Sequence, residues 1–300
     1  MFSLALLWIP FVVLASLAQV LRNAMQRGLT ESLGTIGASQ IRFLFGFPFS
    51  LIFLALVFLV AREPLELPHG VFWLWLLLGT LTQIASTALM LAAMNEGSFV
   101  VTTAYIKTEP IQAALFGFVF LSDRLTPWQL AAIVVATAGV ILTAIRPGGG
   151  KSFADLRPAA LGLAAAAGFA LSSVGYRGAI LAVPDVSFVT AATFTLALGL
   201  ALQTAILTSF LLLRDRKTLN AILRQWKPSM LAGFMGAFAS QFWFLAFALT
   251  NVANVRTLAL IEVLFAQAIS HYNFKQPVSG RELTGIALIV LGVGMLVGMP

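Results

Sequence analysis

Runs of about 20 mostly apolar residues, separated by short polar or Gly/Pro-containing breaks, cover the chain. A hydrocarbon slab about 30 Å thick needs a helix of roughly that length, so the pattern predicts ten membrane-spanning helices. They run approximately Leu4–Leu21, Ile36–Val60, Val71–Met94, Ser98–Leu121, Trp128–Ile145, Ala159–Leu181, Ser187–Leu213, Ser229–Thr250, Val252–Phe274 and Leu283–Met299. The breaks are short, as at Arg62–Glu63–Pro64 and Lys275–Gln276–Pro277. The longest, Arg214–Pro228, leaves no room for a separate catalytic domain. The first run has no Lys or Arg before Arg22 and no A-x-A site after it, so it is expected to stay as a helix rather than be cleaved as a signal peptide.

Composition supports this reading. Of 300 residues, 60% are hydrophobic and 10% charged, against roughly 25% charged in an average soluble domain. A soluble fold could not hide so much apolar surface, and the fold class expected is an all-α integral membrane protein. Cysteine is absent, and the two histidines, His69 and His271, are far apart. No thiolate or paired-imidazole metal site is expected, and no cofactor. The net charge of +7 fits basic loops facing an anionic leaflet better than nucleic acid, because no basic run with interleaved aromatics occurs. Most of the 18 basic residues, Arg22, Arg27, Arg146 and Lys227 among them, fall after odd-numbered spans, whereas the alternate loops hold Arg62, Arg124 and Arg177. The positive-inside rule then places both termini outside a bacterial inner membrane.

The chain also repeats itself. A shift of 153 residues sets Glu109 on Glu262, Ala113 on Ala266, Leu130 on Leu283, Ile133 on Ile286, Gly139 on Gly292 and Val140 on Val293. This predicts two five-helix repeats, residues 1–150 and 151–300, forming one transmembrane domain. An odd number of spans per repeat makes the two inverted relative to each other, as in many secondary transporters.

Five plus five spans, Thr108–Glu109–Pro110, the tract Ser122–Asp123–Arg124–Leu125–Thr126–Pro127–Trp128–Gln129 and Arg42 together resemble the drug/metabolite transporter superfamily, in particular its EamA-type branch. The second half departs from the pattern, with Gln276–Pro277–Val278–Ser279 where the first has Asp123–Arg124–Leu125–Thr126. The resemblance implies transport of small solutes. Amino-acid export, drug efflux and nucleotide-sugar or phosphate carriage all occur among such proteins.

Ionisable groups at mid-bilayer are costly without a partner or water, so Glu109, Glu262, Lys107, Arg42 and Arg256 are the candidate binding or coupling groups. Lys107 and Glu109 are about 200° apart on a helical wheel. One is therefore expected to line a solute path and the other to pair with a neighbouring helix. Thr102, Tyr105 and Gln112 share the face of Glu109, and together they suit a small zwitterion or amine. Gln83, Gln241 and Trp243 are further candidates for contact with the solute. Span-ten and span-five glycines suggest close helix approach within a half, or a weak homodimer face.

The expected function is a secondary transporter working by alternating access, most directly an exporter of amino acids or related metabolites. Uptake, multidrug efflux and nucleotide- or lipid-linked sugar transport are the alternatives. No phosphate-cradling G-x-x-x-x-G-K-[ST] stretch is present, so the driving force would come from the solute gradient or from protons. An intramembrane enzyme would need a Ser–His, Asp–Asp or His-x-x-x-His set at membrane depth. None occurs, and the chain is not expected to be an enzyme.

Overall fold

A computed structural model describes residues 6–64, 66, 68–96, 104–144, 156–265, 267–268 and 280–298, with the side chains of 24, 26–35, 38, 95, 96 and 156 left aside. The described residues are mostly helical and contain no strand. In order they form α1 (Trp8–Leu44), α2 (Gly46–Ala61), α3 (Gly70–Glu96), α4 (Glu109–Leu121), α5 (Pro127–Ala144), α6 (Leu156–Leu181), α7 (Phe188–Arg214), α8 (Arg216–Arg224), α9 (Trp226–Leu249), α10 (Val252–Leu258), a 3₁₀ turn at Ala259–Ile261 and α11 (Gly280–Val297).

Six stretches among the described residues are long and apolar enough to cross a membrane: Ser39–Ala61, Gly70–Met94, Arg157–Leu181, Phe188–Arg214, Trp226–Leu249 and Gly280–Val297. Trp8–Asn23 and Pro127–Thr143 are apolar but shorter. Large side chains such as Leu59, Val60 and Leu213, 71%, 85% and 82% exposed, face outward as lipid-contacting residues do.

The 153-residue shift is legible in the helix ends. Helices finish at Ala61 and at Arg214, positions related by that shift. One region breaks it. The pattern predicts a loop between Leu21 and Ile36, yet α1 continues through it to Leu44. The counterpart in the second half is a true loop. There Pro184 stands in the connection, Asp185 adopts φ 51°, and the Ser187 hydroxyl accepts the Thr190 N–H to start α7. The first half has Glu31 and Gly34 where the second has Pro184 and Ser187. With no proline at the first position and no hydroxyl at the second, the two features that end and restart the helix in the second half are missing here.

The chain divides into two compact units. Unit 1 comprises residues 1–80 and 175–249, and unit 2 residues 81–174 and 250–300. In unit 1, α1 packs along α9 and α2 along α7. The kink at Phe45 sits on Gly233, where an added Cβ would come within 2.5 Å of the Phe45 Cβ. The amphipathic α8 buries Leu219 and Ile222 against Ile41, Leu211 and Ala232. Asp215 caps it, accepting from the Thr218 hydroxyl at 2.6 Å and its N–H at 3.1 Å.

Unit 2 is built on the joint between α5 and α11. A Cβ on Gly139 would meet the Gly285 carbonyl oxygen at 2.7 Å and the Ile289 nitrogen at 2.8 Å. A Cβ on Gly292 would meet the Ala132 oxygen at 2.8 Å and the Ala136 nitrogen at 2.5 Å. Under the shift Gly139 corresponds to Gly292, Ala132 to Gly285 and Ala136 to Ile289, so each contact has its mirror. Small residues therefore bring the helices together across the two halves, not within one half as the sequence suggests. Gly294, of the small-xxx-small pair with Gly298, has open space around it.

Candidate functional site

Unit 2 contains two helix interruptions at matching positions. Residues 104–106 are helical, Lys107 and Thr108 form a turn, and α4 starts at Glu109. In the second half α10 ends at Leu258, the 3₁₀ turn covers Ala259–Ile261, and Glu262 follows it. Each Glu thus stands just past a break. Pro110, next to Glu109, has no N–H to donate and is tolerated in the first helical turn. The first break is held by local bonds. The Thr108 N–H and hydroxyl both donate to the Tyr105 carbonyl, at 3.1 and 2.7 Å, and the Gln112 amide donates to the Thr108 hydroxyl at 3.1 Å. Tyr105 also packs on α6, its Cβ 2.9 Å from where a Cβ on Gly162 would be.

Two ion pairs join the breaks. The Lys107 ammonium bonds to the Glu262 carboxylate. The Arg256 Nε lies 2.9 Å from Glu109 Oε1. Arg256 also donates to the Ser173 hydroxyl of α6, from Nη2 at 2.7 Å and from Nε at 3.0 Å. Lys107 interacts electrostatically with Glu109 and Arg256 as well, so the four charges form one neutral cluster. The side chains retain between 16% and 21% of their surface, half-buried rather than sealed. The interruption at Lys107–Thr108 explains why the helical-wheel argument does not hold. Residues on either side of a turn no longer keep 100° spacing, and both Lys107 and Glu109 have charged partners.

Three other predicted residues, Gln241, Trp243 and Arg42, lie in unit 1. The Gln241 amide donates to the Thr193 hydroxyl at 2.7 Å, and the Trp243 indole donates to Gln19 at 3.3 Å. Trp243 is 5% exposed. Arg42, in the last turn of α1, lies 5.3 Å from the Phe43 ring centre. Gln83, in the unit 2 part of α3, has a backbone carbonyl that accepts the Thr87 hydroxyl at 2.9 Å. Thr102 lies outside the described residues, and so does His271.

The profile of the EamA-like transporter family matches twice, over residues 6–145 and 156–298. The chain belongs to the EamA-like transporter family. As an EamA-like protein it is a multi-pass membrane transporter whose family architecture is two consecutive repeats. No curated protein matches it. A solved crystal structure, described only as that of a protein, is similar over 97% of this chain and 95% of its own, with TM-score 0.71 and 17% identity, a likeness of fold.

The EamA-like chain holds buried polar residues that spacing alone did not single out. Ser173, the second partner of Arg256, is one. Arg177, counted among the loop cations yet inside the sixth apolar run, lies within α6 and donates to the Phe247 carbonyl. Arg22, also assigned to a loop, lies within α1 and is 6% exposed. A signal for Arg22 was present: Val12, Ala15, Ser16 and Gln19 precede it at three- and four-residue spacing, a small and polar stripe that marks a buried helix face.

Proposed function

We propose that this transporter carries small organic solutes by alternating access, with export of amino acids or related metabolites as the leading reading. The observation that carries it is the neutral cluster Lys107–Glu262 and Glu109–Arg256 at two matched helix breaks. Interrupted helices at mid-span are where carriers build polar sites, because the freed backbone groups need a partner that lipid cannot supply. A zwitterion can replace internal ion pairs with equivalent ones: its ammonium takes the place of Lys107 or Arg256 at a carboxylate, and its carboxylate meets the released cation. The exchange keeps the cluster neutral, which lowers the cost of bringing a charged solute into the membrane. Tyr105 and Gln112 stand beside the first break and supply an aromatic ring and an amide.

In this reading residues 1–150 and 151–300 are the inverted repeats, and their exchange of conformations opens the site to one side at a time. The basic segment Arg214–Lys227 faces the cytoplasm of an inner membrane. A proton is a candidate counter-ion, since protonating Glu109 or Glu262 would dissolve one ion pair. Carriage of drugs or other metabolites uses the same cluster with a different solute.

The test is flux in proteoliposomes. Counterflow of labelled amino acids is expected with the native chain and at least tenfold less with Glu109→Gln or Glu262→Gln. An imposed pH gradient should alter the rate if protons are coupled. Wild-type counterflow in both variants would remove the cluster from the transport path.

A further inference from the structure

We infer that unit 1 holds a second binding site, for an anionic group of a solute, built on Arg22. Its Nη2 donates to the neighbouring Asn23 side chain at 2.8 Å, while Nε and Nη1 are buried without an acceptor. A buried guanidinium with unmet donors is costly, and such groups ordinarily have a carboxylate or phosphate partner. Unit 1 supplies none nearby: among described side chains its acidic residues, Glu63, Glu66, Asp185 and Asp215, all lie in connections between helices.

Depth separates a solute from a lipid headgroup. A Cβ on Gly236 would lie 3.5 Å from Arg22 Cδ and 3.2 Å from Arg42 Cγ. Gly236 is near the middle of the candidate span Trp226–Leu249, far from either end. Two arginine stems therefore converge on the centre of α9, and the second cation reinforces an anion at the first. The same face of α9 carries Ser240 and Trp243, at helical spacing from Gly236, and Trp243 reaches Gln19, one turn before Arg22 on α1. The ligand class is a compact oxyanion, a carboxylate or a phosphate, on a molecule with an apolar portion. As a statement about substrate it rests on the carrier reading. As a statement about anion binding it stands on unit 1 alone.

The full chain in phosphatidylcholine nanodiscs is titrated with acetate, phenylacetate, L-phenylalanine, inorganic phosphate and phenethylamine at fixed ionic strength. Melting temperature and tryptophan emission are read together. At least one anionic probe should raise the melting temperature and change the emission, with apparent affinity reduced tenfold or more in Arg22→Gln and partly retained in Arg22→Lys. The emission change should vanish in Trp243→Phe, and phenethylamine should do nothing. Response to carboxylates alone or to phosphate alone identifies the oxyanion. Failure of every anion, equal affinity in Arg22→Gln, or responses abolished by adding phosphatidylglycerol would overturn the site. If Arg22→Gln does not fold, Arg22→Lys and the amine control decide. Flux that persists without anion binding would sink this site and leave the carrier reading intact.

Discussion

The two units treat membrane charge in opposite ways. Unit 2 brings two cations and two carboxylates to matched helix breaks and pairs them within itself. Unit 1 buries Arg22 with two donors unmet and keeps its described carboxylates in the connections between helices. The charges of unit 2 come from residues the repeat duplicates, Glu109 and Glu262, plus a cation for each. In unit 1, Arg22 and Arg42 have no acidic counterpart under the shift. Pairing lets a charge contribute to stability; lack of pairing leaves it available to a ligand.

The sharpest break of that contrast is the loss of one carboxylate in unit 2. Glu262→Gln removes the carboxylate to which half-buried Lys107 bonds. It should cost about 3 kcal/mol, the low end for a broken buried pair because the groups keep some solvent, read as a fall in thermal midpoint in detergent. Pairing it with Lys107→Gln should recover most of that loss. If the double variant is no better than the single, the ion pair is not what holds the breaks together. By the same logic Arg22→Gln in unit 1 should not destabilise the unliganded chain.

A smaller effect is expected at the α5–α11 joint. Gly139→Ala or Gly292→Ala pushes a methyl into backbone of the facing helix, for about 1–3 kcal/mol. Gly294→Ala, with open space, should be neutral or raise stability by up to about 1 kcal/mol through helix propensity. Melting all three separates packing from propensity.

The smallest effect belongs to a connection. The Glu63 carboxylate accepts from the Ser187 N–H and hydroxyl, each at 3.0 Å, tying the end of α2 to the start of α7. Hydrogen bonding from the Thr190 hydroxyl, then from the Ser187 N–H, holds Glu63 below its usual value of 4.5. A lowered folded value means the ionised form is favoured by folding. Its contribution is complete above pH about 4.5 and fades as pH falls through the folded value. Glu63→Gln should leave a melting curve flatter between pH 5 and 3 than the native chain gives. An identical slope in the two would show that this tie adds nothing.

Much of the architecture was legible in the sequence because membranes enforce a simple rule: long apolar runs must be helices. The 153-residue shift was legible too, since Glu109 and Glu262 are rare residue types at such depth, and it reappears in the helix ends at Ala61 and Arg214 and in the glycine contacts of α5 and α11. What spacing could not convey was where helices stop and start. Residues 22–35 look like a loop because they are polar, but they contain no proline, and α1 runs through them. Conversely Lys107–Thr108 looks like mid-helix because apolar residues surround it. The pairing of Lys107 with Glu262 and of Arg256 with Glu109 was illegible for the same reason: a wheel assumes the continuous backbone that the turn interrupts. Arg22 looks like a loop residue because charge usually marks solvent, whereas its spacing from Ser16 and Gln19 marks the buried face.

The reciprocal glycine contacts of α5 and α11 have a consequence for assembly. A surface that meets the counterpart of itself through a two-fold relation is the kind that ordinarily joins identical subunits. Here both copies of the patch reside in one polypeptide and satisfy each other. A fragment containing only residues 1–150, or only 151–300, would carry one side of the joint and could rebuild it only by recruiting a second molecule.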